Sequence, residues 1–128
     1  MLGAALRRHP AERRRIFVHE LFHFVWARLG NPARRDWEAL LEREWEANVR
    51  GELGWSAELR KQKLTSGDRQ NRTRRWREYA CESFCDSAAW CWSGLADHDE
   101  FTLARRARPP RRRWLHNLCR HHPDGLRI

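Results

Sequence analysis

The sequence predicts a small, mainly α-helical domain with little or no β-sheet. Three observations predict it. Apolar residues recur at three- and four-residue spacing in three long stretches, Gly and Pro punctuate the intervals, and no alternating run is long enough for a convincing strand. With 128 residues, 41% of them hydrophobic and eight of them Trp, the chain has the apolar content to build one core that a disordered chain lacks. A second catalytic domain does not fit.

The elements follow in order. Pro10 suits the first turn of a helix that runs through Ala11 and Glu12 to Leu29, where Gly30 supplies the stop. Asn31 is a good N-cap and Pro32 a good first residue for a second helix, whose Trp37, Leu40, Leu41, Trp45 and Val49 share one face up to Gly51. After the Gly51–Gly54 break, Trp55–Leu64 forms a short helix, and Thr65-Ser66-Gly67-Asp68 reads as a loop. A third long pattern runs from Arg72 to Ser93-Gly94 and buries Trp76, Ala80, Phe84, Ser87, Ala88 and Cys91. Phe101-Thr102-Leu103 suits a short strand, Arg108-Pro109-Pro110-Arg111 an extended linker, and Trp114–Cys119 a final helical turn or two. The expected organisation is a domain over residues 1–107 and a basic C-terminal tail over 108–128.

Lys and Arg number 26 against 17 Asp and Glu, a net charge of +9, and only Lys61 and Lys63 are lysines. Two runs carry most of the excess: eight basic residues from Arg60 to Arg77 against Asp68, and eight arginines from Arg105 to Arg127 against Asp124. Such runs attract nucleic-acid phosphate or an acidic partner through a salt-sensitive field, and they equally suit a solvated surface. Only Trp76 and Trp114 stand beside them as possible base-stacking platforms. No apolar stretch approaches the roughly 20 residues needed to cross a bilayer. The N-terminus also lacks a secretory hydrophobic region, so no membrane association and a cytoplasmic location are expected. Cys81, Cys85 and Cys91 on one helix, with Cys119 apart, read as reduced packing thiols; together with His121 and His122 they form the alternative of a second metal site.

One segment carries chemistry. Ile16 to Trp26 contains His19-Glu20-Leu21-Phe22-His23, the H-E-x-x-H pattern of zinc hydrolases, which arises by chance in a chain of this composition with a probability of roughly 3 in 100. Residues four apart on a helix differ by about 40° in direction, so both imidazoles can grip one ion. Zinc suits neutral imidazole, and Glu20 is placed to take a proton from water at the ion rather than bind the ion itself. The other residues from Ile16 to Trp26 are uncharged and mostly bulky, which predicts a helix buried nearly all round.

A catalytic zinc takes three protein ligands, and no third His follows His23 in this segment. The third ligand is therefore expected to be a carboxylate from Arg77–Ala89. Here the chain resembles the gluzincin clan of metallopeptidases, in which Glu from a second helix completes H-E-x-x-H and a nearby acid steadies a zinc-bound His. Two registers fit the resemblance. In one, Glu82 is the ligand, Cys85 the small residue and Asp86 the supporting acid; in the other, Glu78 is the ligand and Glu82 the supporting acid, with Phe84-Cys85 resembling the pattern of small IrrE/ImmA-type zinc peptidases. The first is preferred because the shorter Asp86 suits a bond to a ring N–H.

The resemblance spans about 70 residues and implies a zincin-like helical domain, Zn²⁺ held by His19, His23 and Glu82, Glu20 as the base, and a peptide or protein substrate. It also implies an oxyanion-stabilising side chain, for which His98, His116 and Tyr79 are candidates, and a substrate-aligning strand edge that is not evident here. The rival reading is a basic module that binds nucleic acid or an acidic partner, with a structural metal or none.

Overall fold

The computed structural model describes residues 2–121, and their side chains from Pro10 onward, as six α-helices: α1 (Leu2–Arg28), α2 (Asn31–Glu46), α3 (Trp55–Gln62), α4 (Ser66–Gln70), α5 (Arg74–Trp92) and α6 (Arg108–Arg120). A 3₁₀ turn at Arg105–Ala107 leads into α6, and no strand occurs among the described residues. The chain is mainly α. No helix of the described residues is long and apolar enough to cross a membrane.

Helix α5 is the axis on which the others pack. Ala80, Cys85, Ala88 and Ala89 are fully buried small residues that let neighbouring backbones approach, and α1 packs along α5 more extensively than any other helix, followed by α3. Phe84 projects into the centre, with the rings of Phe22, Trp26, Trp37 and Trp114 at centroid distances of 5.0–6.0 Å. Tilted and edge-on rings at such distances are the favoured aromatic geometry. Trp76 and Trp114, the two tryptophans beside the basic runs, belong to this core: Trp76 is buried with its indole N–H on Glu38, and Trp114 packs on Trp37 with its own on Asp36.

Helix α1 departs from expectation twice. It begins at Leu2 and carries Pro10 in its interior, rather than starting there. It is also not buried all round. Val18, Phe22 and Val25 face the core at helical spacing, while Ile16, Phe17 and Phe24 are 54%, 65% and 57% exposed. A helix presents only the stripe that its neighbours cover, and composition does not reveal how wide that stripe is.

Gly30 rather than Asn31 is the N-cap of α2, and Pro32 falls in its first turn. Arg34 reaches back to the carbonyls of Trp26 and Ala27 and closes the end of α1. Helix α2 stops at Glu46, because Asn48 turns left-handed at φ 55°; Val49 therefore lies beyond the helix, in a second apolar cluster with Leu53, Trp90, Phe101 and Leu103. The expected loop at Thr65–Asp68 is a capped helix start. Thr65 Oγ1 accepts from Asp68 N–H while the Asp68 carboxylate accepts from Thr65 N–H, so two otherwise unpaired donors are satisfied reciprocally.

The expected strand at Phe101–Leu103 is an irregular segment that pairs with the chain near Glu52 through Thr102 and Leu103 N–H to the Glu52 carbonyl and Ala104 N–H to that of Arg50. Gly51, at φ +84°, passes directly under Thr102, where a Cβ would collide with its carbonyl at 2.1 Å. The expected linker at Arg108–Arg111 is the start of α6, with the prolines in its first turn, where a missing N–H costs nothing. Leu115 and Leu118 bury against the core, and Arg111 is fully buried. Residues 108–120 are therefore part of the helical body; His122 and the rest of the expected tail lie outside the described residues.

Candidate metal centre

Helices α1 and α5 bring His19, His23 and Glu82 together. His19 Nε2 and His23 Nε2 are 3.2 Å apart, His23 Nε2 lies 3.1 Å from Glu82 Oε2, and His19 Nε2 lies 3.5 Å from Glu82 Oε1. Donor atoms bound to zinc at about 2.0–2.1 Å sit at the corners of a tetrahedron whose edges are about 3.3–3.4 Å. The three observed separations, which engage both carboxylate oxygens of Glu82, fall on either side of that edge. Two imidazole nitrogens and one carboxylate are also the donor set zinc accepts in open sites, so the residues present fit the ion.

The groups behind these donors hold them in place. Asp86, one turn beyond Glu82 on α5, accepts His19 Nδ1–H at 2.7 Å, which fixes the ring and turns Nε2 toward Glu82. Its other oxygen accepts the backbone N–H of Ala57 at 2.9 Å, in the first turn of α3. Gly54 makes this approach possible, because a Cβ there would lie 2.3 Å from the Asp86 carboxylate. Ser56 Oγ donates to Glu82 Oε1, and Cys81 Sγ sits 3.8 Å from His23 Nδ1.

The electrostatics follow from this crowding of acids around imidazole. The hydrogen bond to Asp86, with that to Glu82, outweighs burial and raises the His19 pKa to about 10. Burial alone would raise the Glu82 carboxyl, but hydrogen bonds from His19 and Ser56 and the neighbouring His23 hold it at about 2. Glu82 is thus a carboxylate across the physiological range.

The expected residues divide. Glu20 stands on the exposed side of α1, in a hollow of about 380 Å³ with Phe17, Leu21, Phe24 and Arg28, and makes no hydrogen bond or ion pair among the described residues. It is rotated about 60° around the helix from His23, and the hollow that holds it contains none of His19, His23 and Glu82. Glu78 is not brought to the imidazoles. It is half-exposed and pairs with Arg74 at 2.9 Å. His98 bonds to Glu12, His116 stacks on Trp92 near Cys91, and buried Tyr79 donates to Glu52, so none of the three contacts the paired imidazoles.

Of the cysteines, Cys81 and Cys85 approach His23 as an overlapping donor group, and all four are free thiols. Glu12, His98 and Glu100 also cluster, but Arg15 already bonds to both carboxylates. Gly54, Ser56 and Ala57 escape sequence reasoning. The Gly51–Gly54 break signals a turn, and nothing local indicates that the turn seats on Asp86.

No protein-family profile matches the chain, and neither curated proteins nor solved structures provide a match.

Proposed function

We propose that the protein is a zinc-dependent hydrolase, and specifically a metallopeptidase, in which His19, His23 and Glu82 hold the ion. The observation that carries this reading is the convergence of two imidazole nitrogens and both oxygens of one carboxylate from two helices, with contacts of 3.1–3.5 Å between residues and with Asp86 locking one imidazole from behind. Zinc in such a site supplies Lewis acidity toward water and toward a substrate carbonyl.

The chain's own residues supply the rest. Asp86 keeps the His19 ring in the orientation that presents Nε2, and Ser56 and His19 fix the Glu82 carboxylate. Glu20 is the general base. Its carboxylate is exposed and unengaged among the described residues and follows His19 directly in the H-E-x-x-H pattern; in this reading it takes a proton from attacking water and passes it to the leaving amine.

Metal analysis of the purified protein against His19→Ala tests the first step. About one zinc per chain in the wild type and a large loss in the variant is expected; equal, near-zero zinc in both overturns the reading. Glu20→Gln is expected to retain zinc and lose cleavage of a broad peptide library. A zinc-loaded wild type that leaves the library uncut, as Glu20→Gln does, overturns the peptidase assignment and leaves a metal site without that activity.

A further inference from the structure

A cleft of about 660 Å³ between α3 and α5 is lined by Leu59, Arg60, Lys63, Arg75 and Glu78. Its lining begins one helical turn from the Ser56–Glu82 contact at the candidate metal centre. On α3 and its C-cap, Ser56, Arg60 and Lys63 stand at i, i+4 and i+7; on α5, Glu82, Glu78 and Arg75 stand at i, i−4 and i−7, so each triplet follows one helix face. The two faces meet where Ser56 bonds to Glu82, and Arg60 Nη1 bonds to the same Ser56 hydroxyl at 3.1 Å.

The charge in this cleft is unbalanced. Arg60, Lys63 and Arg75 are exposed, and none of them forms an ion pair among the described residues. Glu78, the one acid in the lining, is already held by Arg74. Asp68, whose carboxylate feels Arg75, accepts hydrogen bonds from Thr65 and Thr73. Arg15, Arg72 and Arg111 each meet one or two carboxylates, whereas other arginines, Arg35, Arg43 and Arg77 among them, form no ion pair among the described residues. What distinguishes Arg60, Lys63 and Arg75 is that all three line one cleft, where their charges act together on whatever enters it.

We propose that this cleft selects acidic peptides, taking carboxylate side chains two to three residues from the bond that is cut. Arg60 stands one helical turn from Ser56 and Lys63 nearly two, which is roughly 6 and 10 Å along the helix, or two to three residues of extended peptide. Arginine suits carboxylate recognition because its planar fork donates two parallel hydrogen bonds. Only the position of the cut rests on the peptidase reading; the binding of acidic peptide does not.

The test uses the full chain carrying Glu20→Gln and fluorescein-labelled nonapeptides that differ only in having Glu or Gln at the second and third residues on either side of the centre. Fluorescence anisotropy is expected to show at least one acidic peptide binding about tenfold tighter than its Gln counterpart, with the difference shrinking as salt rises. Arg60→Glu/Arg75→Glu should abolish the preference, and the milder Lys63→Gln/Arg75→Gln should reduce it while circular dichroism remains unchanged. Equal affinities, no binding of either peptide, or a preference that survives both double variants overturns the proposal. So does a single-stranded oligonucleotide of equal charge that binds more tightly than the acidic peptide and is released by the same substitutions. Cleavage separates the two claims: wild type that binds the acidic peptides without cutting any overturns the peptidase reading alone, whereas equal cutting of acidic and neutral peptides overturns the acidic selectivity alone.

Discussion

Two polar clusters lie side by side on α5, and they are built differently. Ser87 faces a closed network in which the buried Arg111 donates to Glu44, Glu52 and Ser87 through five hydrogen bonds, one for each of its N–H groups. Tyr79 adds a bond to Glu52 and Lys61 approaches it at 3.9 Å. Asp86, the preceding residue, faces the cluster of His19, His23 and Glu82, which opens to solvent at His23 and points three donor atoms at one another. Saturation distinguishes them. A network with every donor and acceptor matched holds helices together, whereas donor atoms converging without a full complement of partners leave a place for an ion.

The largest expected effect comes from breaking the saturated side. Arg111→Met leaves Glu44 and Glu52 facing each other without their cation, and is expected to cost about 3–5 kcal/mol, read as a lower urea midpoint. A midpoint within error of the wild type would show that the network is not what ties α6 to α2 and α5.

Acid should attack the same network. Burial alone would raise the Glu52 carboxyl, but the charge and hydrogen bonds of Arg111 hold it below its ordinary value of 4.5. A carboxyl with a depressed folded pKa contributes stability that is complete above its unfolded value and is lost as pH falls toward the folded one. Urea midpoints should therefore drop below about pH 4.5, and the drop should be shallower in Glu52→Gln. Parallel slopes in the two proteins would assign the acid sensitivity elsewhere.

On the open side the expected effects are on metal rather than on folding. Asp86→Asn should weaken zinc binding about 10–100-fold in competition with a chromophoric chelator, because the His19 ring loses the acceptor that orients it. Gly54→Ala should act in the same direction by displacing the Asp86 carboxylate. Undiminished affinity in both variants would mean that the ion, if bound, does not use His19 as oriented here.

Smallest is Thr65→Ala, which removes one half of the reciprocal cap on α4 and touches no residue of either cluster through that cap. It should cost about 1 kcal/mol in urea denaturation and leave zinc affinity unchanged. A change in zinc affinity there would show that α4 and the site are coupled.

Much of the site was legible because helical spacing is local. His19 and His23 had to share a face, and both Glu82 and Glu78 had an acid at i+4, so only the shorter Asp86 favoured Glu82; the structure brings Glu82 and Asp86 to the imidazoles. The exposed flank of α1 was not legible, since Phe17 and Phe24 look like core residues until the position of the neighbouring helices is known. Arg111 misled in the opposite sense. Among Pro109, Pro110 and other arginines it reads as solvated tail, and only the two carboxylates waiting in α2 and near Gly51 make its burial possible.

By itself the sequence determined the mainly α class, the long helices and the two-imidazole face, because a 3.6-residue period acts within a few residues of chain. Tertiary structure decided which acid meets those imidazoles, that the first turn of α3 seats on Asp86, and which arginines are matched and which are left to line a cleft. Those outcomes depend on where helices far apart in sequence cross, and crossing is set by the packing of whole faces rather than by any short run of residues.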